Sequence, residues 1–234
     1  MIFVKKKLKL LPIILFISFT GSADALADYS NGVIAMMFGQ SDYAISEFKK
    51  AAAEGHMEAT YSLGYMYENS VGVPKNYPEA LKWYKAAAAL GDPKSQYILG
   101  NMYNRGRGVE INYEQAVNWY RLSAEQGYAW AEYFLGLKLE TGQGTSKDLE
   151  SAAYWYERAA DQEHARAQYN LAKIYYQGNG VKQDFLKAYK WAVLADSYGE
   201  GDAKSLMLIL EKNLSENEIL KSKSDAKKWI REHR

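Results

Sequence analysis

The sequence predicts an all-α fold, a right-handed α/α superhelix (solenoid) of stacked helix-turn-helix repeats. The main observation is a period of 36 residues, in which five columns keep one residue type across four copies. A second observation is apolar spacing typical of amphipathic helices on both sides of a glycine-bearing turn. The columns are Tyr61, Tyr97, Tyr133 and Tyr169; Leu63, Leu99, Leu135 and Leu171; Gly72, Gly108, Gly144 and Gly180; Ala80, Ala116, Ala152 and Ala188; and Trp83, Trp119, Trp155 and Trp191. One helix pair cannot bury its own apolar stripe, so the copies are expected to stack and form a concave surface.

Residues 1–27 have the three-part layout of a secretory signal peptide. Lysines precede an apolar run from Leu10 to Phe19, and the small-residue pattern Ala25-Leu26-Ala27 follows it. The run is about half of the ~20 residues that span a bilayer, so an uncleaved anchor is the weaker interpretation. We expect cleavage after Ala27, with Ala25 as the alternative position, and no stable membrane anchor afterwards. The expected location of the exported chain is a bacterial periplasm or the space beyond the cell.

The same period sets the predicted boundaries of the remaining chain. A shorter turn near Gly39 marks an abbreviated first pair, and a capping-box pattern at Ser215 and Glu218 opens the last helix. The units are an N-terminal partial repeat at 28–58, full helix-turn-helix repeats at 59–94, 95–130, 131–166 and 167–202, and C-terminal capping helices at 203–234.

Each repeat carries signals for where its second helix begins and ends. Short polar residues occupy the predicted N-cap, where a side-chain oxygen accepts a free amide of the first turn. These residues are Asn76, Asn112, Asp148 and Asp184. Gly91, Gly127 and Gly199 lie where a left-handed end is expected, and Glu163 interrupts that column. The tryptophan column is expected to fill the core, while the alanine column lets helices approach closely.

Composition excludes several classes of function. The chain has 29 basic and 28 acidic residues, so it lacks the concentrated positive charge of a nucleic-acid binder. It has no Cys and three His, which removes thiolate zinc sites and leaves little material for a histidine metal cluster. The sequence contains no motif for a nucleophilic triad, a zinc protease or a P-loop. We therefore predict a non-enzymatic protein with no catalytic residue, cofactor or metal.

These columns resemble those of SEL1-like repeat proteins, relatives of the tetratricopeptide repeat. The second copy carries the resemblance through Gln96-Tyr97-Ile98-Leu99-Gly100, Tyr103, Gly106-Arg107-Gly108-Val109, Ala116 and Trp119-Tyr120. Departures occur at Ser70, Leu139 and Ala172. The resemblance implies a binding adaptor rather than a catalyst, similar to exported bacterial proteins that hold envelope complexes together, restrain periplasmic sensors or assist contact with host cells. A cysteine-rich subgroup linked to β-lactam binding does not carry over to this cysteine-free chain.

Helical geometry locates a candidate binding surface on the first helix of each repeat. With the leucine column buried and about 100° of rotation per residue, one set of side chains points away from the core, into the expected groove. The predicted partner-binding residues are Glu58, Tyr65, Glu68, Asn69, Lys94, Asn101, Asn104, Arg105, Trp130, Leu137, Glu140, Arg166, Lys173, Tyr176 and Gln177. The Tyr61 column is expected instead to pack between repeats with its hydroxyls at the rim.

The sequence favours a scaffold that binds a partner protein or peptide in this groove, for envelope regulation, complex assembly or contact with a host cell. Its composition changes from acidic and aromatic, through apolar, to basic and aromatic, which could orient an extended peptide or a helix. An aromatic groove could also stack on sugar rings, so a peptidoglycan or other glycan ligand is the alternative. A hydrolase, such as a β-lactamase-like enzyme, remains a weaker one because no motif places two carboxylates together.

Overall fold

The computed structural model describes residues 22–233, and every regular element in that range is helical. The helices are α1 (Ala23–Met37), α2 (Ser41–Ala53), α3 (Met57–Asn69), α4 (Tyr77–Ala89), α5 (Pro93–Arg105), α6 (Tyr113–Glu125), α7 (Ala129–Thr141), α8 (Leu149–Asp161), α9 (Ala165–Gln177), α10 (Phe185–Ser197), α11 (Ala203–Leu210) and α12 (Glu216–Glu232). Consecutive helices pack as antiparallel pairs, and each pair packs on the next. The predicted helical solenoid is confirmed.

Helix pairs also form both ends of the described part of the stack. Residues 38–40 form the short turn of the first pair, and α11 and α12 both pack on α10. Ser215 and Glu218 form the predicted capping box at the start of α12. Most of the predicted signal segment, residues 1–21, lies outside the described residues. Helix α1 begins at Ala23, so cleavage after Ala27 would remove its first turn; the cleavage position stays a prediction.

The predicted caps of the second helices are present. The Oδ1 atoms of the four N-cap residues accept the amides of Glu79, Gln115, Ser151 and Lys187, at 3.1, 2.9, 3.0 and 2.9 Å. The glycines predicted to end these helices have positive φ, and Glu163 adopts the same left-handed conformation with φ of 63°. These local signals fix each helix boundary before any packing is considered.

The tryptophan column does not fill the core, and this prediction is wrong for three of its four members. The partly buried members are Trp83, Trp119 and Trp155, which pack on the core from its edge. Only Trp191 is buried, and Trp229 of α12 covers it with ring centroids 6.0 Å apart. Adjacent residues point about 100° apart on a helix, so only one of two neighbouring aromatic side chains can point into the pair.

The residue that points into the pair is the tyrosine after each tryptophan, and it lies on a glycine of the first helix. The pairs are Tyr84 on Gly64, Tyr120 on Gly100 and Tyr156 on Gly136, and all three tyrosines are fully buried. A Cβ atom on Gly100 would lie 2.5 Å from the Tyr120 ring, too close for any real contact. Glycine is therefore required mid-helix here for close approach, despite its poor helix propensity.

The fourth repeat loses both partners of this contact together. Ala172 takes the place of the mid-helix glycine, and Ala192 takes the place of the tyrosine that follows each tryptophan. The buried tyrosine of this helix is Tyr189, three residues earlier. In the first pair the contact returns, with Phe48 on Gly32. The departure at Ala172 is therefore accommodated within α9, because a methyl group is tolerated where no ring lies above it.

We expect Gly100→Ala to destabilise the protein by about 1–3 kcal/mol, because the methyl group would overpack the Tyr120 ring. The reverse change in the fourth repeat, Ala172→Gly, is the matched control and should cost about 1 kcal/mol through helix propensity alone. Urea denaturation followed by circular dichroism measures both. A more stable Gly100→Ala variant would show that the ring does not require the glycine.

Candidate functional site

The residues predicted to bind a partner lie on the solvent side of α3, α5, α7 and α9, which we call the first-helix face. The exposed members are Glu58, Tyr65, Asn69, Lys94, Arg105, Trp130, Arg166 and Gln177. The partly buried members are Glu68, Asn101, Asn104, Leu137, Glu140, Lys173 and Tyr176. The face is thus accessible along four repeats, but about half of its members also contact the framework.

Three members of the first-helix face hold the buried tyrosines. Tyr84 donates to Glu68 at 2.9 Å, Tyr120 to Asn101 at 3.0 Å and Tyr156 to Glu140 at 2.6 Å. Burial and the neighbouring carboxylates raise the pKa of Tyr84 and of Tyr156, so both hydroxyls remain donors. A hydrogen bond typically contributes about 1.5–3 kcal/mol with a charged acceptor, such as Glu68 or Glu140, and about 0.5–1.5 kcal/mol with a neutral one, such as Asn101. These three positions therefore have a structural role. Sequence periodicity alone could not separate them from free surface positions.

Trp130 and Arg166 are brought together in one cleft of about 510 Å³, which we call the Trp130 cleft. It lies between the loops that precede α7, α9 and α11. The lining residues are Ala129, Trp130, Gln162, Glu163, His164, Ala165, Arg166, Tyr198, Gly199 and Glu200. The Trp130 side chain is 50% exposed, and Arg166 Nε lies 3.7 Å from Glu200 Oε2. The cleft therefore combines an open aromatic surface with a loosely paired charge of each sign.

His164 closes the cleft from beneath. Its ring stacks on Tyr133 and meets Trp130 edge-on, with both centroid distances at 4.6 Å. Nδ1 accepts a hydrogen bond from the backbone amide of Ala167 at 3.2 Å, and this bond caps the start of α9. Because Nδ1 is the acceptor, the ring must be neutral with its proton on Nε2. Burial lowers the pKa of His164 to about 4, and the charge of Arg166 adds to this effect. Nε2 is buried and has no hydrogen-bond partner among residues 22–233.

Glu163 adds backbone strain beside this histidine. The other repeats have a glycine at the corresponding position, and each of these glycines has positive φ. A left-handed conformation costs a residue with a side chain about 1 kcal/mol or more. Glu163, at the edge of the Trp130 cleft, thus replaces the glycine that the left-handed backbone favours.

A second aromatic cluster lies at the other end of the first-helix face. Tyr61 and Tyr65 stack with centroids 6.4 Å apart, and Lys94 Nζ lies 4.4 Å from the Tyr61 ring centroid. The rest of the Tyr61 column packs against the buried tyrosines or the next repeat, as expected. Lys173 lies over the Tyr169 ring at 5.6 Å, and Tyr176 packs on Phe185. Aromatic and cationic groups therefore alternate along the face.

Two charged groups of α7 are buried where sequence reasoning did not look for them. Glu132 is fully buried, and it accepts hydrogen bonds from Arg158 at 2.7 Å and from Gln162 at 2.8 Å. Burial raises the pKa of Glu132, and both donors oppose that effect. The glutamines at the same place in repeats two and four donate instead to backbone carbonyls. The signal in the sequence is Arg158, which replaces Ala86, Leu122 and Leu194 of the other repeats.

Lys138 is the second buried charge, at a position that holds Met66, Met102 and Ile174 elsewhere. Its amine donates to Asn104 and Gln143 and lies 5.0 Å from the Tyr113 ring centroid. Burial lowers the pKa of Lys138. Neither Lys138 nor Glu132 lines the Trp130 cleft. Within the described residues no cluster of acidic or histidine side chains is suited to a metal ion, and no helix is long and apolar enough to cross a bilayer.

A regular helical solenoid with a varied, accessible first-helix face defines the class of repeat proteins that act by binding. The family follows from the repeat itself: the Sel1 repeat model matches residues 58–92, 93–128, 131–164 and 165–195, more than half of the chain. The chain belongs to the Sel1 repeat family, whose members are commonly protein-interaction scaffolds and generally not catalysts.

Two solved structures resemble the chain over most of its length. A Sel1 repeat protein from Oxalobacter formigenes is 34% identical, with a TM-score of 0.72 over 76% of this chain and 74% of that one. A protective antigen of uropathogenic Escherichia coli, described as displaying an SLR fold, is 29% identical with a TM-score of 0.77. The match covers 89% of this chain but only 46% of the antigen, so this chain spans about half of that longer protein. None of the curated proteins matches the chain.

We expect Arg158→Ala to destabilise the protein by about 3 kcal/mol, because it leaves the Glu132 carboxylate buried without its cation. The double variant Glu132→Gln/Arg158→Ala places a neutral glutamine where repeats two and four have one, and should recover most of the loss. Urea midpoints of the wild type, both single variants and the double variant give the coupling free energy. Equal losses in Arg158→Ala and in the double variant would exclude this explanation.

The His164 cap predicts a loss of stability between pH 6.5 and pH 4. The unfolded ring takes up a proton near pH 6.5, whereas the folded ring stays neutral until about pH 4, so the unfolded state binds more protons in this window. We expect about 2 kcal/mol to be lost, after discounting for solvent screening of the partly exposed ring. His164→Asn keeps a neutral cap at every pH and should have a flatter pH profile in urea titrations. Parallel profiles for the two proteins would contradict the assignment.

Proposed function

We propose that this chain is an exported scaffold that binds a partner protein or peptide along the first-helix face and anchors it in the Trp130 cleft. The observation that carries the proposal is the half-exposed indole of Trp130, in a cleft that spans the junction of repeats three and four. Tryptophan and arginine are the residue types most enriched at energetic hot spots of interfaces. An apolar side chain of the partner would cover Trp130, and polar groups would meet Arg166 and Glu200.

Variation among the repeats supports a binding role for this face. The position of Trp130 holds Glu58, Lys94 and Arg166 in the other repeats, while the buried leucine and alanine columns keep their residues. Buried residues recur from repeat to repeat, whereas the surface residues differ. This combination is typical of a solenoid that recognises one partner with several repeats. The change from acidic to basic side chains along the face gives an extended partner a preferred direction.

Export to a periplasm or beyond the cell is part of the proposal and rests on the layout of residues 1–27. The absence of Cys is compatible with that location but does not require it. Mass spectrometry of the chain recovered from envelope and culture fractions reads the mature N-terminus directly. An N-terminus at Asp28 or Leu26 supports export with cleavage, and an intact Met1 in a soluble cytosolic fraction opposes it.

A glycan is the second candidate ligand, because an exposed indole beside carboxylates and a guanidinium can also stack on a sugar ring. A pull-down with purified peptidoglycan tests this candidate. Wild-type protein that binds peptidoglycan, together with loss of this binding in Trp130→Ala, would favour the glycan as ligand. If wild-type protein does not bind peptidoglycan, the protein partner stays the proposed ligand.

The test of the main proposal is photocrosslinking in cells with a photoreactive residue at position 65 or 173, which leaves Trp130 in place, followed by mass spectrometry. We expect one dominant protein adduct from both positions. The yield of this adduct should be at least tenfold lower with unlabelled wild-type protein as competitor than with unlabelled Trp130→Ala as competitor. Tyr154 is 52% exposed on α8, so Tyr154→Ala is a control of matched exposure outside the first-helix face. Absence of a protein adduct, or equal effects of the two alanine variants, would contradict the proposal.

A further inference from the structure

The first helix of the stack has an apolar side that no other described residue covers. Val33, Ile34 and Met37 of α1 are 37%, 52% and 80% exposed, and Phe38, directly after the helix, is 76% exposed. Their spacing of i, i+1, i+4 and i+5 places them on one side of the helix. We call these four residues the α1 apolar face. The opposite side of α1, with Ala25, Gly32 and Ala35, is buried against α2.

One member of the α1 apolar face, Ile34, lies where the other first helices have a stacking residue. Gly32 and Gly64 both lie under an aromatic ring of the following helix, which sets the register between α1 and α3. In that register Ile34 corresponds to Met66, which is 2% exposed and belongs to the core cluster shared with α2. Helices α5, α7 and α9 likewise pack on the second helix before them. The α1 apolar face therefore joins one stacking position without a helix on it, Ile34, to Val33 and Met37, which correspond to Tyr65 and Asn69 of the first-helix face.

The two ends of the solenoid differ in chemistry. At the far end the last helix, α12, presents mainly charged side chains to solvent, with Leu220 as an apolar exception, while α11 exposes Leu208 and Ile209. The exposed charged side chains of α12 include Lys221, Asp225, Lys227, Lys228, Arg231 and Glu232. Head-to-tail stacking of a second molecule would desolvate these charges against the α1 apolar face, at a high cost in free energy. Two α1 faces, by contrast, match apolar surface with apolar surface about a two-fold axis.

The size of the patch fits the same occupant. Four side chains with these exposures leave an apolar patch on the order of 500 Å², at the upper end of what monomers expose. A standard interface buries about 800 Å² per partner, of which about 60% is apolar, and this matches the patch. All four residues lie beyond Ala25 and Ala27, so either predicted cleavage would leave them in the mature chain.

We propose that α1 is a dimerisation helix, on which two copies of this chain pack their α1 apolar faces together. The dimer carries two Trp130 clefts at a fixed separation, so a partner with two matching segments gains effective concentration for its second contact. This inference does not depend on the nature of the partner or on export.

The test is the mass of the isolated protein in solution, with its N-terminus established by mass spectrometry. We expect light scattering coupled to gel filtration to give twice the chain mass, and Ile34→Glu/Met37→Lys to raise the dimer dissociation constant at least tenfold. Leu208→Glu is the control, because Leu208 is 64% exposed on α11 at the other end of the stack. Circular dichroism must show the same helicity in all three proteins. A wild-type monomer at about 100 µM, with or without residues 1–21, would overturn the proposal.

A second measurement stays informative if the charged variant fails to fold. The chain has no Cys, so Met37→Cys introduces a single thiol near the proposed axis. Rapid formation of an interchain disulfide supports the dimer, and Leu208→Cys should remain unlinked under the same conditions. Crosslinking only in a mixture of Met37→Cys with Leu208→Cys would indicate head-to-tail stacking and contradict the two-fold arrangement.

Discussion

The architecture depends on one contact, a buried aromatic ring lying on a helical glycine. The tyrosine ring is fully buried between the two helices of its repeat, and the glycine lets the helices come close enough to bury it. The fourth repeat supports this reasoning, because Ala172 replaces the glycine only where Ala192 replaces the ring. Each partner therefore constrains the other, and the contact sets the geometry of the hairpins that contain it.

The same tyrosines link the core to the binding surface. Their hydroxyls reach Glu68, Asn101 and Glu140, so these members of the first-helix face are fixed by the framework. The positions in the first turn of each first helix make no comparable bond to the buried tyrosines. They can change from one repeat to the next, and Glu58, Lys94, Trp130 and Arg166 do so. In the proposed complex the first turns of these helices contact the partner, while the later turns include the residues that hold the buried tyrosines.

Periodicity predicted the helix pairs, their boundaries and the capped ends, because these depend on local signals that recur every 36 residues. It could not decide which of two adjacent aromatic residues points inward, and the tryptophans were placed in the core where the tyrosines lie. That choice depends on the rotation of each helix about its axis, which is set by packing against the next helix. Periodicity also did not predict the burial of Glu132 or the exposure of the α1 apolar face, since both depend on which residues a neighbouring helix covers.

Departures from the repeat pattern concentrate around α7 and the loop before α9. There Glu132 and Lys138 replace neutral residues in buried columns, Glu163 replaces a glycine, and His164 leaves a buried Nε2 without a partner among residues 22–233. Each of these features costs stability relative to the residue that the other repeats use. In a solenoid such costs remain local, because each repeat contacts only its neighbours. The repeats with the least favourable framework are those that form the Trp130 cleft, as expected where binding rather than stability determined the choice of residues.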